Sequence, residues 1–332
     1  MNDSSAIAET SSGLHPVTAA RLRRGRRGDV LFRWATQTFA WLVLLVLGAI
    51  IVVLFRGGWP AFEHFGAHFF VSSSWNPVTG DYGAASSILG TLVTSAIAIV
   101  LAVPISFGIA LFVTEIAPRW LRRPIGIAVE LLAGIPSIIY GIWGLFIFAP
   151  WFADDVQPLL SNTLGKIPWI GQLFQGPPIG LGWAVAGFIL TIMIIPFIAA
   201  VMRDVFEVVP VTLKESAYAM GSTRWEVARK VVLPYTRIGV IGGIMLGLGR
   251  ALGETMAVTF VVGNAHDLHL SLFMPGNTIA SSIANEFTEA DTLMHRSALI
   301  ALGLILFAIT FIVLALAKWM LVRMERAQGE SA

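Results

Sequence analysis

Apolar residues in this chain gather into six long runs, separated by polar stretches rich in Gly, Pro, Asn and Trp. The runs lie near Trp34–Phe55, Ala85–Val113, Ile125–Phe148, Gly182–Met202, Ile238–Val262 and Ala298–Met320. Each is about as long as the ~20 residues a helix needs to cross ~30 Å of hydrocarbon. None alternates apolar and polar positions as a membrane-barrel strand would, and an open sheet could not satisfy its backbone in lipid. The pattern predicts an all-α integral membrane protein, a bundle of six transmembrane helices.

Composition agrees: 56% of residues are hydrophobic and 13% charged, far from the balance of a soluble domain. The chain has no cysteine, which removes disulfides, thiolate metal sites and cysteine nucleophiles from consideration. The first run is too long for the apolar core of a signal peptide and reads as a retained span. Arg and Lys set the expected orientation, because they collect in cytoplasmic loops. Arg21, Arg23, Arg24, Arg26, Arg27 and Arg33 precede or open the first span, and Arg119, Arg122 and Arg123 follow the second. Arg203, Lys214, Arg224, Arg229, Lys230 and Arg237 follow the fourth, and Lys318, Arg323 and Arg326 close the sixth. The other three loops hold only Arg56, Lys166 and Arg296. This alternation predicts both termini in the cytoplasm. It divides the chain into a basic N-terminal tail (1–32), a six-span domain (33–322) containing a long cytoplasmic loop (203–237), and a short C-terminal tail (323–332).

The loops on the opposite side, about residues 56–84, 149–181 and 263–297, read as turns and interfacial aromatics. They carry His64, His68, His266, His269 and His295. Without Cys or a clustered Asp/Glu spacing these are read as ordinary loop histidines, and no metal site is expected. No His/Asp/Ser constellation gathers on one side, so no catalytic residue is assigned and the chain is not expected to be an enzyme.

The long loop, Val201 to Arg237, contains two capping-box patterns, Thr212 to Glu215 and Thr223 to Glu226, with Gly221 between them and Pro234 beyond the second. This predicts a helix, a left-handed turn at Gly221, a short helix, and a stop at Pro234. Trp225 and Val227 stand among Arg224, Glu226, Arg229 and Lys230, a mixture suited to protein docking. Glu215-Ser216-Ala217, three residues, Gly221, nine residues, Val231, one residue, then Leu233-Pro234 resembles the EAA motif of ABC-importer permeases, with Ser216 in place of Ala and Val231 in place of Ile. The resemblance implies a type I importer bundle whose loop forms coupling helices seated in a cytoplasmic ATPase. No GxxxxGK[ST] phosphate loop occurs in the chain, so the ATPase would be a separate subunit that binds ATP and Mg, and no cofactor is expected in this chain.

Gly247 to Asn264 reads GLGRALGETMAVTFVVGN, an apolar stretch that nonetheless carries Arg250 and Glu254. Arg250 lies twelve residues into the fifth run, ~18 Å along a continuous helix and near the bilayer midplane. A charge at that depth costs at least ~2.5 kcal/mol and normally faces the bundle interior or a wet cavity. On a continuous helix residues four apart share a face, so Arg250 and Glu254 are expected to pair. Gly243 with Gly247, and Gly249 with Gly253, give small-xxx-small spacing for a close helical contact. A guanidinium suits phosphate through its planar fork, and Glu254 would moderate the affinity so that the anion can leave. The alternative is a pair that neutralises itself and fixes packing. In the third run, Glu130 to Gly141 places Gly134, Pro136 and Ser137 near mid-membrane, where proline frees a carbonyl; a simple kink and a pathway role both stay open. Glu130, nearer the cytoplasmic end, is expected at least to pair with a basic loop residue.

Together with AGIPSIIYG and SSWNPVTGDYGAASSILGT, the charged stretch resembles the phosphate-specific permeases of binding-protein-dependent ABC importers, over nearly the whole chain after the basic tail. That resemblance implies a subunit in the bacterial inner membrane that forms half of a phosphate path with a PstA-type permease, two copies of a PstB-type ATPase and a PstS-type periplasmic phosphate-binding protein. It places Arg250 and Glu254, and more weakly Pro136, Ser137 and Glu130, on the path. Other readings are a permease for another oxyanion such as molybdate or sulfate, the PstA-type partner itself, or a proton-coupled transporter using Arg250, Glu254 and Glu130 as a relay.

Overall fold

The computed structural model describes residues 16–329, with side chains over 31–323. The predicted tail is therefore described only from Pro16, where helix α1 (Pro16–Phe65) begins. Among the described residues six helical stretches are long and apolar enough to cross a membrane: Leu31–Phe65, Ala85–Ile116, Ser137–Lys166, Trp183–Glu207, Arg224–Leu252 and Leu293–Arg323. The chain divides at Leu54 into two units. The first is the leading part of α1, whose side chains from Leu31 onward are mostly exposed. The second, from Phe55, holds everything described below.

After α1 come α2 (His68–Val71) and a hairpin of β1 (Trp75–Asn76) with β2 (Asp81–Tyr82), antiparallel with Trp75 opposite Tyr82. Helix α3 (Ala85–Leu111) continues through a π turn, Phe112–Ile116. Then follow α4 (Arg119–Ala133) and α5 (Ser137–Trp143), the latter extended by alternating π and α turns to Thr163. Helix therefore occupies half of the loop expected over 149–181, because this apolar stretch keeps its backbone bonds internal. Helix α6 (Trp183–Glu207) is the axis of the bundle: Met193, Ile194, Ile198, Met202 and Phe206 are all buried. Helices α7 (Val211–Ala219) and α8 (Arg224–Val227) form the long loop. After α9 (Leu233–Leu252), α10 (Met256–Val261) and α11 (Ile279–Glu286), helix α12 (Leu293–Gly329) ends the described chain.

Close approach depends on small residues. A Cβ at Gly247 would lie 2.5 Å from Ile198 Cγ1, so α9 meets α6 only because that position is glycine. Gly249 and Gly253 make no comparable contact, so only the first of the two predicted pairs, Gly243 with Gly247, packs a neighbouring helix. A second cluster, with Ala61, Phe69, Tyr82, Ile279, Leu299 and Leu302, closes the hairpin end of the bundle.

Candidate functional site: a docking loop and two broken spans

Helix α7 starts after Pro210, whose ψ of 132° makes it the N-cap, so Thr212 is already inside the helix and the first predicted capping box does not form. Proline's fixed φ suits the residue leading into a helix, and here it took the place expected of Thr212. Gly221 adopts φ +87°, and Ser222 N–H donates to Ala217 O at 3.2 Å, which ends α7 as expected. The second box forms: Glu226 N–H donates to Thr223 Oγ1 at 3.3 Å and Thr223 N–H to Glu226 Oε2 at 2.9 Å. Pro234 does not stop the helix. A π turn over Ala228–Val232 shifts bonding to i→i−5, with Leu233 N–H on Ala228 O, just where Pro234 has no donor to give, and α9 follows without a break.

The motif residues divide by role. Glu215, Ser216, Gly221 and Pro234 are exposed, Ala217 is buried, and Val231 and Leu233 pack half-buried against the core. Around them Val208, Val211, Leu213, Met220, Trp225 and Tyr235 are exposed, Met220 at 81% and Trp225 at 59%. The motif thus holds the loop to the bundle while presenting an apolar surface beyond it.

The charged span departs from expectation. Helix α9 ends at Leu252, Gly253 to Thr255 are non-helical, and α10 resumes at Met256. With the helix broken between them, Arg250 and Glu254 no longer share a face, and no ion pair joins them among the described residues. Glu254 Oε1 instead accepts from Ala257 N–H in the first turn of α10 at 3.3 Å. Arg250 sits in the last turn of α9, where the helix dipole favours a cation. Its guanidinium carbon lies 4.3 Å above the Phe197 ring, and its buried Nε–H has no hydrogen-bond partner. Beside it is a cavity of about 580 Å³ lined by Phe197, Gly242, Leu246, Gly249, Thr310 and Leu314.

The run predicted over Ile125–Phe148 is broken as well, and the membrane-length stretch begins only at Ser137. Pro136, with ψ 136°, separates α4 from α5 and places Ser137 at the first position of α5. Gly126 faces Arg203 near one end of α6 and Gly144 faces Ile189 near the other, so the break over Gly134–Pro136 lies between them, level with the middle of α6. Proline has no N–H to give Leu132 O, which accepts instead from Ile135 N–H at 3.4 Å and from the Tyr140 hydroxyl at 2.9 Å. The two broken spans meet: a Cβ at Gly141 would lie 2.8 Å from Phe260 and 3.1 Å from Ala257 Cα, so α5 lies directly on α10. Glu130 stands apart from Arg250 in its bonding, since it accepts from Arg203 Nη2 at 2.7 Å; Arg203 also holds Asp204 at 2.9 Å.

Two of the loop histidines are not ordinary. Glu286 Oε1 lies 3.0 Å from His266 Nε2 and Oε2 lies 3.0 Å from His295 Nε2, while Trp75 Nε1–H donates to Oε2 at 2.6 Å. Burial pushes the Glu286 carboxyl up, but the hydrogen bonds from His266, Trp75 and His295 outweigh it and hold the group below the usual carboxylate range. This knot ties the hairpin to the loop before α11 and to the start of α12. No local pattern could reveal it, because Trp75 and Glu286 are 211 residues apart. Among the described residues no group is arranged to hold a metal ion.

The family of "Binding-protein-dependent transport system inner membrane component" matches residues 102–326. The chain is 55% identical over 325 residues to "Phosphate transport system permease protein PstC" of Mesorhizobium japonicum, covering 98% of this chain and 99% of the relative. It is 59% identical to the protein of the same name from Pasteurella multocida, covering 91% and 94%, and 38% identical to "PstC 1" of Mycobacterium tuberculosis, covering 91% and 95%. The crystal structure of a bacterial alginate ABC transporter in complex with a pentasaccharide-bound periplasmic protein contains a chain that shares the fold, with a TM-score of 0.59, 18% identity and coverage of 91% and 97%. The EAA spacing, the broken spans and this near full-length identity converge: the chain belongs to the binding-protein-dependent transport system inner membrane components, and within them to the PstC permease proteins.

Proposed function

We propose that this chain is the membrane-spanning permease subunit of an ATP-driven phosphate importer and forms half of its translocation path. The observation that carries this reading is the near full-length identity to phosphate transport permeases. In this reading the basic loops and both termini face the cytoplasm of a bacterial inner membrane. The exposed face of α7 and α8, with Glu215 and Gly221 at its centre, seats in one of two PstB-type ATPases that bind ATP and Mg. A PstA-type permease completes the path and a PstS-type periplasmic protein delivers the anion.

Arg250 is the anion contact. It lines a cavity and keeps one N–H unclaimed by the protein, so its planar guanidinium is available to an anion such as phosphate that enters beside it. Glu254 acts from the break in the span, where it is engaged by the α10 backbone and leaves the guanidinium free. Pro136 and Ser137 serve the path by ending α4 and exposing a helix start at mid-membrane, as broken helices do in other transporters. Glu130, engaged by Arg203, is the weakest candidate for the path.

The test is purification of the chain with its ATPase, reconstitution, and uptake of labelled phosphate with ATP, with and without the binding protein. Uptake that needs both supports the reading. Uptake driven by a proton gradient without ATP would replace it with the proton-coupled transporter, and competition by sulfate or molybdate but not phosphate would change the anion.

A further inference from the structure

One buried ion pair lies outside the anion path and the exposed docking face. Lys214 precedes the first motif residue, Glu215, on α7, and its Nζ donates to Glu115 Oε1 at 2.6 Å. The side chains are 16% and 7% exposed. Lys214 Nζ also lies 3.4 Å from Phe206 O in the last turn of α6. Among the described residues these are the only hydrogen bonds from an α7 side chain to a neighbouring span. Lys214 therefore links the docking helix to the ends of two spans at once.

The setting of Glu115 gives that link a consequence. It lies in the π turn Phe112–Ile116 that ends α3, where Ala117 N–H reaches Phe112 O. A π turn holds one residue of extra register within a helix. A pull on Glu115 thus acts on a segment that has an α-helical register close at hand. Taking two charges out of water is a poor route to stability, and a well-packed apolar pair would serve as well or better. What an ion pair adds is a fixed, directional registry between the two elements.

We propose that Lys214 and Glu115 form the strut that transmits movement of the docking loop to α3, and through α3 to the bundle. Both are positioning residues; neither touches anion or nucleotide. The inference rests on the ATP-driven import proposed above.

The experiment uses the reconstituted complex of this chain with its ATPase, and reads labelled phosphate moved per ATP hydrolysed. The variants are Lys214→Met, Glu115→Gln and the exchanged pair Lys214→Glu with Glu115→Lys. Both single variants are expected to copurify with the ATPase and hydrolyse ATP near the wild-type rate, while phosphate per ATP falls by about tenfold. The exchanged pair restores most of the ratio, whereas a pair needed only for folding would lower assembly and ATP hydrolysis in the single variants and leave the ratio of the assembled complex unchanged. Single variants that keep the wild-type ratio overturn the strut. Should the single variants fail to assemble, the milder Lys214→Arg decides: an assembled complex with a lowered ratio at a normal ATPase rate supports the strut, and an assembled complex with the wild-type ratio overturns it. A wild-type complex that shows no ATP-dependent uptake removes the import reading itself, an outcome distinct from a coupled wild type with unaffected variants.

Discussion

Arg203 and Arg250 are both arginines on long apolar helices, yet the fold treats them in opposite ways. Arg203 is 19% exposed and holds two carboxylates, Glu130 and Asp204. Arg250 has no carboxylate among the described ion pairs, leaves its Nε–H unpaired, and is steadied by an aromatic face and a helix end. A saturated arginine contributes to structure and has nothing left to offer a ligand. An unsaturated one carries a standing cost that a visiting anion would relieve, as the contact proposed for Arg250 needs.

The largest effect that can break this comparison is at Arg250. Arg250→Ala is expected to lower phosphate uptake by about 10- to 100-fold, the equivalent of one charge-assisted hydrogen bond, with assembly intact; Arg250→Lys restores only part, because an ammonium lacks the planar fork. Uptake at the wild-type rate in an assembled Arg250→Ala complex would end the assignment. Next is Glu286, a carboxylate saturated as fully as Arg203. Glu286→Gln is expected to destabilise the hairpin end by about 2 kcal/mol, read as a lower melting temperature in detergent. Its folded-state pKa is lowered, so its contribution is complete above the unfolded value of about 4.3 and is lost as pH falls through the lower folded value. The wild type and Glu286→Gln should therefore draw together in stability as pH falls below the unfolded value, and converge only once it passes below the lowered folded value.

A smaller effect is expected at Tyr140→Phe, which leaves Leu132 O without the hydroxyl that now serves it. A loss of about 1 kcal/mol in stability is expected, together with slower uptake; unchanged melting and uptake would show that the break is satisfied in another way. The smallest is Arg203→Ala. Its partners Glu130 and Asp204 are 54% and 66% exposed, so water replaces the arginine readily and the loss is expected to stay below about 1 kcal/mol, with uptake near normal. An uptake defect there as deep as at Arg250 would erase the distinction between the two arginines.

The 203–237 loop was legible to a large degree because its signals are local. Gly221 turns at φ +87° because the next helix start is two residues away, and Thr223 caps with Glu226 three residues on. Thr212 and Pro234 were misread for the same reason: a capping residue and a proline each have more than one local use. Pro210 occupied the helix start, and a π turn absorbed Pro234. The break at Gly253 to Thr255 was not legible at all. The glycines, Glu254 and Thr255 are compatible with a continuous span, and nothing nearby marks the place where α5 crosses.

Some properties of this protein need only the order of its residues. Six spans, a helical loop between the fourth and fifth, and a charge in the fifth span follow from run length, capping chemistry and the expense of burying a guanidinium, all of which act within one or two helical turns. Tertiary structure alone decided that Arg250 and Glu254 part company, that the Tyr140 hydroxyl reaches Leu132 O, that Lys214 reaches Glu115, and that His266, His295 and Trp75 converge on Glu286. Each of these depends on which helix lies against which. Hydrophobic runs bury equally well against many partners, and only specific packing, such as Gly247 on Ile198 and Gly141 on Phe260, selects the neighbour that places two distant polar groups within reach.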